Sequence, residues 1–267
     1  MKVNGKVVVV TGAGSGMGRE LTLELVRRGA RVAAIDMRKA TLDETKLLAT
    51  AIGGTVETFV VDITDSVKVA KLPADITKKL GAVDALINNA GIIQPFVKIN
   101  ELSLESAAHV MNVNFTGPLM LVKAFLPGLL AREEAHILNV SSMGAYAPVP
   151  GQSVYGASKA AVKLFTEGLR SELMDTKVGV TIVFPGAIST NIAQNSGMAI
   201  PAGAEQAESQ FKQTAADVAA RAMVDAIENN KPRITIGSDA TMMDRLSRLN
   251  PVMAANIIYK QMKSLLG

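Results

Sequence analysis

Short runs of apolar and β-branched residues alternate along the chain with longer stretches in which apolar residues recur every three or four positions. The short runs predict seven strands: Val7–Val10, Val32–Ile35, Thr58–Val61, Ala85–Ile87, His136–Val140, Val180–Phe184 and Ile234–Ile236. The periodic stretches predict helices at Arg19–Arg28, Ala40–Ala51, Val67–Leu80, Leu104–Ala131 and Ser158–Met174. Continuously apolar strands are typical of a parallel sheet that is covered by helices on both faces. The order of elements therefore predicts a doubly wound α/β fold.

Two stretches interrupt this alternation. Residues 187–213 are rich in Ala, Gly, Ser and Gln and contain Pro201, which predicts a loop or broken helix that could close over a substrate. From about Asp239 on, the chain is rich in Met and Leu with interspersed Arg and Lys. This tail is interpreted as a helix packed on the body, a subunit contact or a membrane-surface helix. Because the composition does not break anywhere, residues 1–267 are predicted to form a single domain.

Composition excludes several kinds of site. The chain has no cysteine, which rules out disulfides, thiolate zinc sites and cysteine nucleophiles. The formal net charge is +4, but no basic run is interleaved with aromatic residues, so nucleic-acid binding is not expected. The two histidines, His109 and His136, lie in no ligand pattern and are interpreted as structural, so no metal site is predicted.

The apolar run near the start of the chain, Val7–Val10, is too short for a signal sequence or a membrane span. No other stretch is expected to cross a bilayer. The sequence therefore predicts a soluble, cytoplasmic protein without a membrane partner.

A glycine-rich turn joins the first predicted strand to the first predicted helix, with the sequence TGAGSGMG at residues 11–18. Backbone amides and a helix N-terminus in such a turn can face a pyrophosphate, and glycine permits the close approach. The turn predicts a dinucleotide site with contacts from Gly12, Ser15, Gly16, Met17 and Gly18.

Asp36 follows the second predicted strand, where a carboxylate can accept hydrogen bonds from the adenosine ribose and would repel a 2′-phosphate. A surface acid or a helix cap is the other interpretation of Asp36. Arg38, two residues on, could instead hold a 2′-phosphate. The predicted cofactor is therefore NAD, and NADP stays possible.

Polar residues also follow the third and fourth predicted strands. Asp62, beside Ile63, could accept a hydrogen bond from the adenine amino group, or it could cap the following helix. Asn89, Ala90 and Gly91 suit the strand-end crevice in which open α/β sheets bind ligands.

Seven motifs in order, from Lys6 to about Gly237, resemble the classical short-chain dehydrogenase/reductase family. They are TGAGSGMG, Asp62, NNAG at 88–91, Asn114 in NVNFTG, Ser142 in NVSS, YGASK at 155–159 and PG at 185–186. The resemblance implies a single-domain Rossmann fold with a seven-stranded parallel sheet.

The resemblance also implies a catalytic set of Asn114, Ser142, Tyr155 and Lys159, with Tyr155 and Lys159 also contacting the cofactor. Ser142 is chosen over Ser141 because the family serine usually lies thirteen positions before the tyrosine. Tyr155 and Lys159 share one helix face, where the ammonium can favour the phenolate and let Tyr155 act as acid or base. Ser142 would hold the substrate oxygen, and Asn114 would help to hold a proton-relaying water. The alternative for Tyr155 is a buried core tyrosine.

The segment after the sixth predicted strand completes the expected site. The resemblance implies that Pro185 and Gly186 bend the chain over the nicotinamide, and that Ile188 and Thr190 contact the carboxamide. Loop packing and, for Thr190, a helix cap are the alternatives. Substrate contacts are expected from Ser142, Tyr155, Met143, Gln152, Ala187 and Met198, which form a mostly apolar pocket.

The predicted activity is an NAD(H)-dependent oxidoreductase that interconverts a hydrophobic secondary alcohol and a ketone. An NADP(H)-dependent carbonyl reductase and a catalytically silent dinucleotide-binding regulator are the alternatives. The helices Leu104–Ala131 and Ser158–Met174 carry more apolar residues than one sheet face can cover, which together with the resemblance predicts a homotetramer.

Overall fold

The computed structural model describes residues 1–190, 192–196 and 213–263. Its main feature is a seven-stranded parallel sheet with the strand order β3-β2-β1-β4-β5-β6-β9. The strands of this sheet are β1 (Val7–Thr11), β2 (Arg31–Asp36), β3 (Thr55–Val60), β4 (Ala85–Asn88), β5 (Ala135–Val140), β6 (Val178–Pro185) and β9 (Arg233–Ile236). Two short strands, β7 (Ile188–Ser189) and β8 (Thr214–Ala215), pair separately. The doubly wound α/β fold is thus confirmed.

Helices cover both faces of the sheet. In chain order they are α1 (Gly16–Arg27), α2 (Lys39–Ala51), α3 (Ser66–Leu80), α4 (Leu104–Met111), α5 (Gly117–Leu130), α6 (Ser153–Glu172), α7 (Ile192–Asn195), α8 (Ala216–Glu228), α9 (Ser238–Leu249) and α10 (Pro251–Met262). Alternate residues of β1 enter different cores: Val8 and Val10 pack with α1, α2 and α8, whereas Val7 and Val9 pack with α3, α5 and α6. This two-sided burial explains why β1 is apolar without interruption.

The strand order reverses between β1 and β4. The chain runs outward from β1 through β2 to β3, and then returns to place β4 on the other side of β1. The connecting loops part at this point and leave a crevice beyond the carboxyl ends of the strands. The glycine-rich turn, Asp36, Asn89 and Ser142 all follow strands at this edge.

The predicted helix Leu104–Ala131 is present from Leu104 to Leu130, but it is not a regular α-helix throughout. A single π turn, Asn112–Thr116, joins α4 to α5. Pro118, which lacks a backbone N–H, lies in the first turn of α5. Asn114 therefore lies in the π turn rather than in a regular α-helical turn.

The expectation that no stretch could cross a bilayer also needs correction. By length and hydropathy, Leu104–Leu130 would suffice, and 39% of its most apolar window is buried inside the described part of the chain. Leu121, Phe125 and Leu129 of this stretch pack in the apolar core against the sheet.

The tail forms two helices rather than one. Met243 of α9 and Ala254 and Ile258 of α10 form a small apolar cluster with Ala147. The tail up to Lys263 therefore packs on the body, as one of the three interpretations expected. Residues 264–267 and most of the predicted substrate loop, with Met198, lie outside the described residues.

Candidate active site

The glycine-rich turn ties three elements together at the crevice. Gly12 and Gly16 have φ angles of +68° and +52°, a region that favours glycine. A side chain on Gly18 would overlap the carbonyl of Gly12, so the third glycine lets α1 approach the turn. The Thr11 hydroxyl accepts the backbone N–H groups of Asn89 and Ala90, each at 3.0 Å, which holds the segment after β4 against the turn.

Asp36 ends β2 and is buried against the same turn. Its Oδ2 accepts the Gly14 N–H at 3.1 Å, and its Oδ1 accepts the Arg38 N–H at 3.0 Å. It is neither a surface acid nor a helix cap. The carboxylate both fixes the turn and lines the adjoining cavity.

Arg38 reaches across the opening of this cavity. Its guanidinium donates to Asn195 Oδ1 at 2.7 Å and to Ser15 Oγ at 3.2 Å, and Asn195 Nδ2 also donates to Ser15 Oγ at 3.0 Å. These bonds hold α7 against the glycine turn. Ser196 adds a bond to the other wall, because its Oγ accepts the Ile93 N–H at 3.1 Å.

The cavity has a volume of about 450 Å³ and lies where the sequence predicts the dinucleotide. Its lining includes most of the predicted cofactor residues, namely Gly12, Ser15, Gly16, Met17, Asp36, Asp62, Ile63, Asn89, Ala90, Gly91 and Thr190. Asn89 also carries a buried side-chain oxygen that has no hydrogen-bond partner among the described residues. A cavity lined by a glycine turn at a helix N-terminus, a strand-end carboxylate and an unsatisfied acceptor fits a dinucleotide.

Two residues that line the cavity, Asp62 and His109, differ from their sequence interpretation. Asp62 does not cap α3, because Asp65 accepts the first amides of that helix. Asp62 is exposed, and its Oδ1 accepts both the N–H and the hydroxyl of Thr64. His109, interpreted as structural, is exposed and lines the cavity.

His136 is structural, in agreement with its interpretation. Its Nε2 lies 2.8 Å from Thr181 Oγ1, which itself donates to the carbonyl of Lys231. Burial lowers the pKa of His136 to about 3, so the ring is neutral in the folded protein.

Tyr155 and Lys159 occupy successive turns of α6 beside the cavity, where Lys159 is buried and Tyr155 is partly buried. The Lys159 ammonium lies 5.9 Å from the centre of the Tyr155 ring and donates to the Val140 carbonyl at 3.1 Å. Burial lowers the pKa of Lys159 to about 8. Burial also raises the pKa of the Tyr155 phenol, and a hydrogen bond with Ser142 acts in the opposite direction and lowers that pKa.

The two neighbouring serines have different surroundings, and only one faces Tyr155. Ser141 is buried, and its hydroxyl donates to the Lys159 carbonyl at 2.8 Å. Ser142 Oγ accepts the Gly144 N–H at 3.0 Å, which orients it for a contact with the Tyr155 phenol. The choice of Ser142 agrees with this geometry.

Asn114 bridges the crevice from the π turn. Its Oδ1 accepts the Ile92 N–H at 2.9 Å, and its Nδ2 donates to the Ile92 carbonyl at 2.9 Å and to Ser158 Oγ at 3.0 Å. A β-carbon added to Gly91 would lie 3.1 Å from the Lys159 Nζ and 3.2 Å from Asn114 Oδ1. Glycine at this position leaves room for both polar groups.

The segment after β6 is held from below by a residue that sequence reasoning missed. Asp239, in the first turn of α9, accepts the Ala187 N–H at 2.7 Å and leaves no space for a side chain on Gly186. Pro185, Gly186 and Ile188 do not line the cavity, and Ile188 packs against the apolar core.

A second missed residue, Gln94, contacts the start of α6. Only tertiary structure brings these residues to the site.

Comparison with known proteins identifies the family. The model of the short chain dehydrogenase family matches residues 6–201. The chain belongs to this family. It is 34% identical over 251 residues to a Mycobacterium tuberculosis protein named as the oxidoreductase SadH, covering 92% of this chain and 91% of that protein.

Solved structures of the short-chain dehydrogenase family share the fold. One from Burkholderia phymatum, in complex with NAD, has a TM-score of 0.86 and 27% identity, with 95% of this chain and 96% of that chain covered. One from Burkholderia cenocepacia, in complex with NADP, has a TM-score of 0.80 and 29% identity, with 97% and 99% covered. The chain is therefore an oxidoreductase of this family, whose solved neighbours bind NAD in one case and NADP in the other.

Proposed function

We propose that this oxidoreductase prefers NAD(H) and interconverts a secondary alcohol and a ketone, with Tyr155 as its general acid/base. The observation that carries the proposal is the convergence of Tyr155, Ser142 and Lys159 next to Gly91, which lines the same cavity as Asp36. A regulator without turnover would need the cavity but not the phenol and its partners.

The protein's own part of the reaction is proton transfer and orientation. The nicotinamide dinucleotide supplies or accepts the hydride when it is bound. Ser142 donates to the substrate oxygen, where negative charge develops. Tyr155 gives that oxygen a proton during reduction and removes one during oxidation. Lys159, which is protonated at neutral pH, favours the phenolate because the two groups are close in a buried site.

Burial acts against this role in the cofactor-free protein, since it raises the pKa of Tyr155. The positive charge needed to reverse that rise comes from Lys159 and, during oxidation, from the nicotinamide ring. The base is therefore expected to become effective only in the assembled complex.

Asp36 supports the preference for NAD. Its buried carboxylate faces the part of the cavity next to Ser15 and would repel a 2′-phosphate. Arg38 supports the alternative cofactor, NADP, because its guanidinium donates to Ser15 and could donate to a 2′-phosphate instead.

Cofactor titration tests the preference. We expect the wild type to bind NADH at least about tenfold more tightly than NADPH, which corresponds to ~1.4 kcal/mol. Asp36→Ala should weaken NADH binding and remove the discrimination, whereas Arg38→Ala should weaken NADPH more than NADH. A wild type that already prefers NADPH would refute the assignment.

The substrate is proposed to be a hydrophobic alcohol or ketone. Met143 follows Ser142 in the chain, and Ala187 follows Gly186. The side chains of Met143 and Ala187 are both partly buried. Gln152, another expected substrate contact, would add a polar group to the pocket, because its buried Oε1 has no hydrogen-bond partner among the described residues. Nicotinamide absorbance with a panel of alcohols and ketones tests the class; turnover only of charged, hydrophilic substrates would contradict it.

We also propose a homotetramer in the cytoplasm, which the composition and the exposed apolar residues of α4, α5 and α6 support.

A further inference from the structure

Gln94 lies in the loop between β4 and α4, and it is only 1% exposed. Its Oε1 accepts the backbone N–H of Val154 at 2.8 Å and that of Tyr155 at 2.9 Å. Its Nε2 donates to the Gly151 carbonyl at 2.8 Å. Two N–H donors on one side and a carbonyl on the other fix the orientation of the amide.

These two N–H groups are the ones that an N-cap side chain normally satisfies at a helix start. The residue at the N-cap of α6 is Gln152, and its side chain makes no capping bond. It donates instead to the main-chain carbonyl of Gln94 at 2.7 Å. The helix that carries Tyr155 is therefore capped from a separate loop, 60 positions earlier in the chain.

We propose that Gln94 is a positioning residue, whose carboxamide caps α6 and holds Tyr155 opposite Ser142 and Lys159. The proposal relies on the proposed role of Tyr155 as acid/base. The same loop continues from Gly91 and Ile92, which line the cofactor cavity. Gln94 thus joins the cofactor wall to the first turn of the helix that bears the proton donor.

The side-chain chemistry at this position suggests a matched pair of variants. Gln94→Met keeps the unbranched shape but removes both the acceptor and the donor. Gln94→Glu keeps the acceptor for the two amides, where a negative charge is favourable at a helix N-terminus, but replaces the donor to Gly151 by a second acceptor. If the cap is what matters, the glutamate variant should resemble the wild type more than the methionine variant does.

The first measurement needs no substrate. The chain has three tyrosines and no tryptophan, so tyrosinate absorbance can be followed against pH and the Tyr155→Phe curve subtracted. In Gln94→Met, fraying of the first turn should expose the phenol and lower its burial-raised pKa toward the ordinary value. In Gln94→Glu the pKa should stay at or above that of the wild type, because the burial is kept and a negative charge is added.

The second measurement is turnover with a substrate from the alcohol and ketone panel. We expect Gln94→Met to lower kcat about 10- to 100-fold, since small displacements of a reacting group have effects of this size. KM and NADH affinity should change little, and Gln94→Glu should keep most of the kcat.

Asp65→Ala provides the control for a merely structural loss. Asp65 caps α3 in the same way, with one carboxylate oxygen accepting the Val67 and Lys68 N–H groups at 3.1 and 3.0 Å. Its removal should lower Tm, yet leave the Tyr155 titration unchanged. If Gln94→Met fails to fold, Gln94→Asn, which is one methylene too short to reach the amides, replaces it.

An unchanged Tyr155 titration in Gln94→Met would overturn the proposal, as would a kcat loss in Gln94→Glu as large as that in Gln94→Met. Absence of turnover in every protein, wild type included, would count against the proposed function alone, and the titration would still decide the role of Gln94.

Discussion

At the scale of single residues, the site depends on ionisable groups that the fold buries at a cost in stability. Lys159 is buried with one hydrogen bond to a main-chain carbonyl, and Tyr155 lies next to it, partly buried. A buried cation without a carboxylate partner is expensive, and such groups are found mainly where function requires them. Among the described residues, Asp84 shows the alternative, a buried charge paired with Arg132 and Lys6 away from the crevice.

Replacement of Tyr155 by phenylalanine removes only the phenolic oxygen. We expect turnover to fall by a factor of about 10² to 10⁴, the usual contribution of general acid/base catalysis. NADH affinity should be nearly unchanged, because the ring and Lys159 remain. Steady-state kinetics with parallel fluorescence titration of NADH provides the check, and a variant that retained more than a tenth of wild-type kcat would count against Tyr155 as acid/base.

Lys159→Met should make the cofactor-free protein more stable while removing activity. The pKa of Lys159 is about 8 in the folded chain and ordinary when unfolded, so the unfolded chain binds more protons between these values. The burial penalty, on the order of 3 kcal/mol, is therefore fully present below pH 8 and disappears as pH rises toward the ordinary lysine value.

Loss of the bond to Val140 offsets part of this gain, so we expect about 1–2 kcal/mol of stabilisation at pH 7 and less at pH 10. Urea unfolding of both proteins at the two pH values measures it. Equal stability of the two proteins at pH 7 would show that the ammonium is not held in a dry site.

At the scale of elements, the alternation of strands and helices could be predicted because each apolar run must be buried on both sheet faces. The glycine turn and Asp36 could be placed because each directly follows an apolar run that predicts a strand. The π turn was not predicted because apolar periodicity continues through Asn112–Thr116. Gly117-Pro118 was the available signal, since proline ends or kinks a helix near the preceding residue.

The contacts of Gln94 and Asp239 had no comparable signal in the sequence. Each bonds to a backbone N–H more than fifty positions away, so neither periodicity nor motif spacing could reveal it. Such contacts depend on how finished elements pack, which a single sequence specifies only through the whole fold.

The π turn gives the element-scale prediction. Asn114→Ala removes both bonds to Ile92, which leaves a partly buried N–H and carbonyl without their partners. We expect a loss of about 2–4 kcal/mol in stability and weaker NADH binding, since Ile92 lines the cavity. Asn112→Ala is the control, because Asn112 lies in the same π turn with its side chain exposed. Chemical unfolding and NADH titration compare the two variants, and equal losses in both would contradict a special role for Asn114.

At the scale of the whole molecule, the apolar surface of α4, α5 and α6 exceeds what the sheet covers. Leu121, Val122, Val162 and Leu169 are buried in the core, whereas Leu104, Leu130 and Leu164 are exposed. The same excess gives Leu104–Leu130 the hydropathy of a membrane span although part of it packs on the sheet. A second copy of the chain, related by a twofold axis, would cover the exposed apolar residues of all three helices at once.

Disruption of this face tests the proposed tetramer. Leu164, on α6, is 70% exposed, and Leu47, on α2 beyond the other face of the sheet, is 72% exposed. We expect the wild type to sediment as a tetramer at micromolar concentration and Leu164→Glu to sediment as a smaller species, because a charge would be buried in the contact. Leu47→Glu, equally exposed in the isolated chain, should leave the assembly intact. A wild-type monomer would refute the proposal, and a dimer that Leu164→Glu dissociates would retain this interface and remove only the second one.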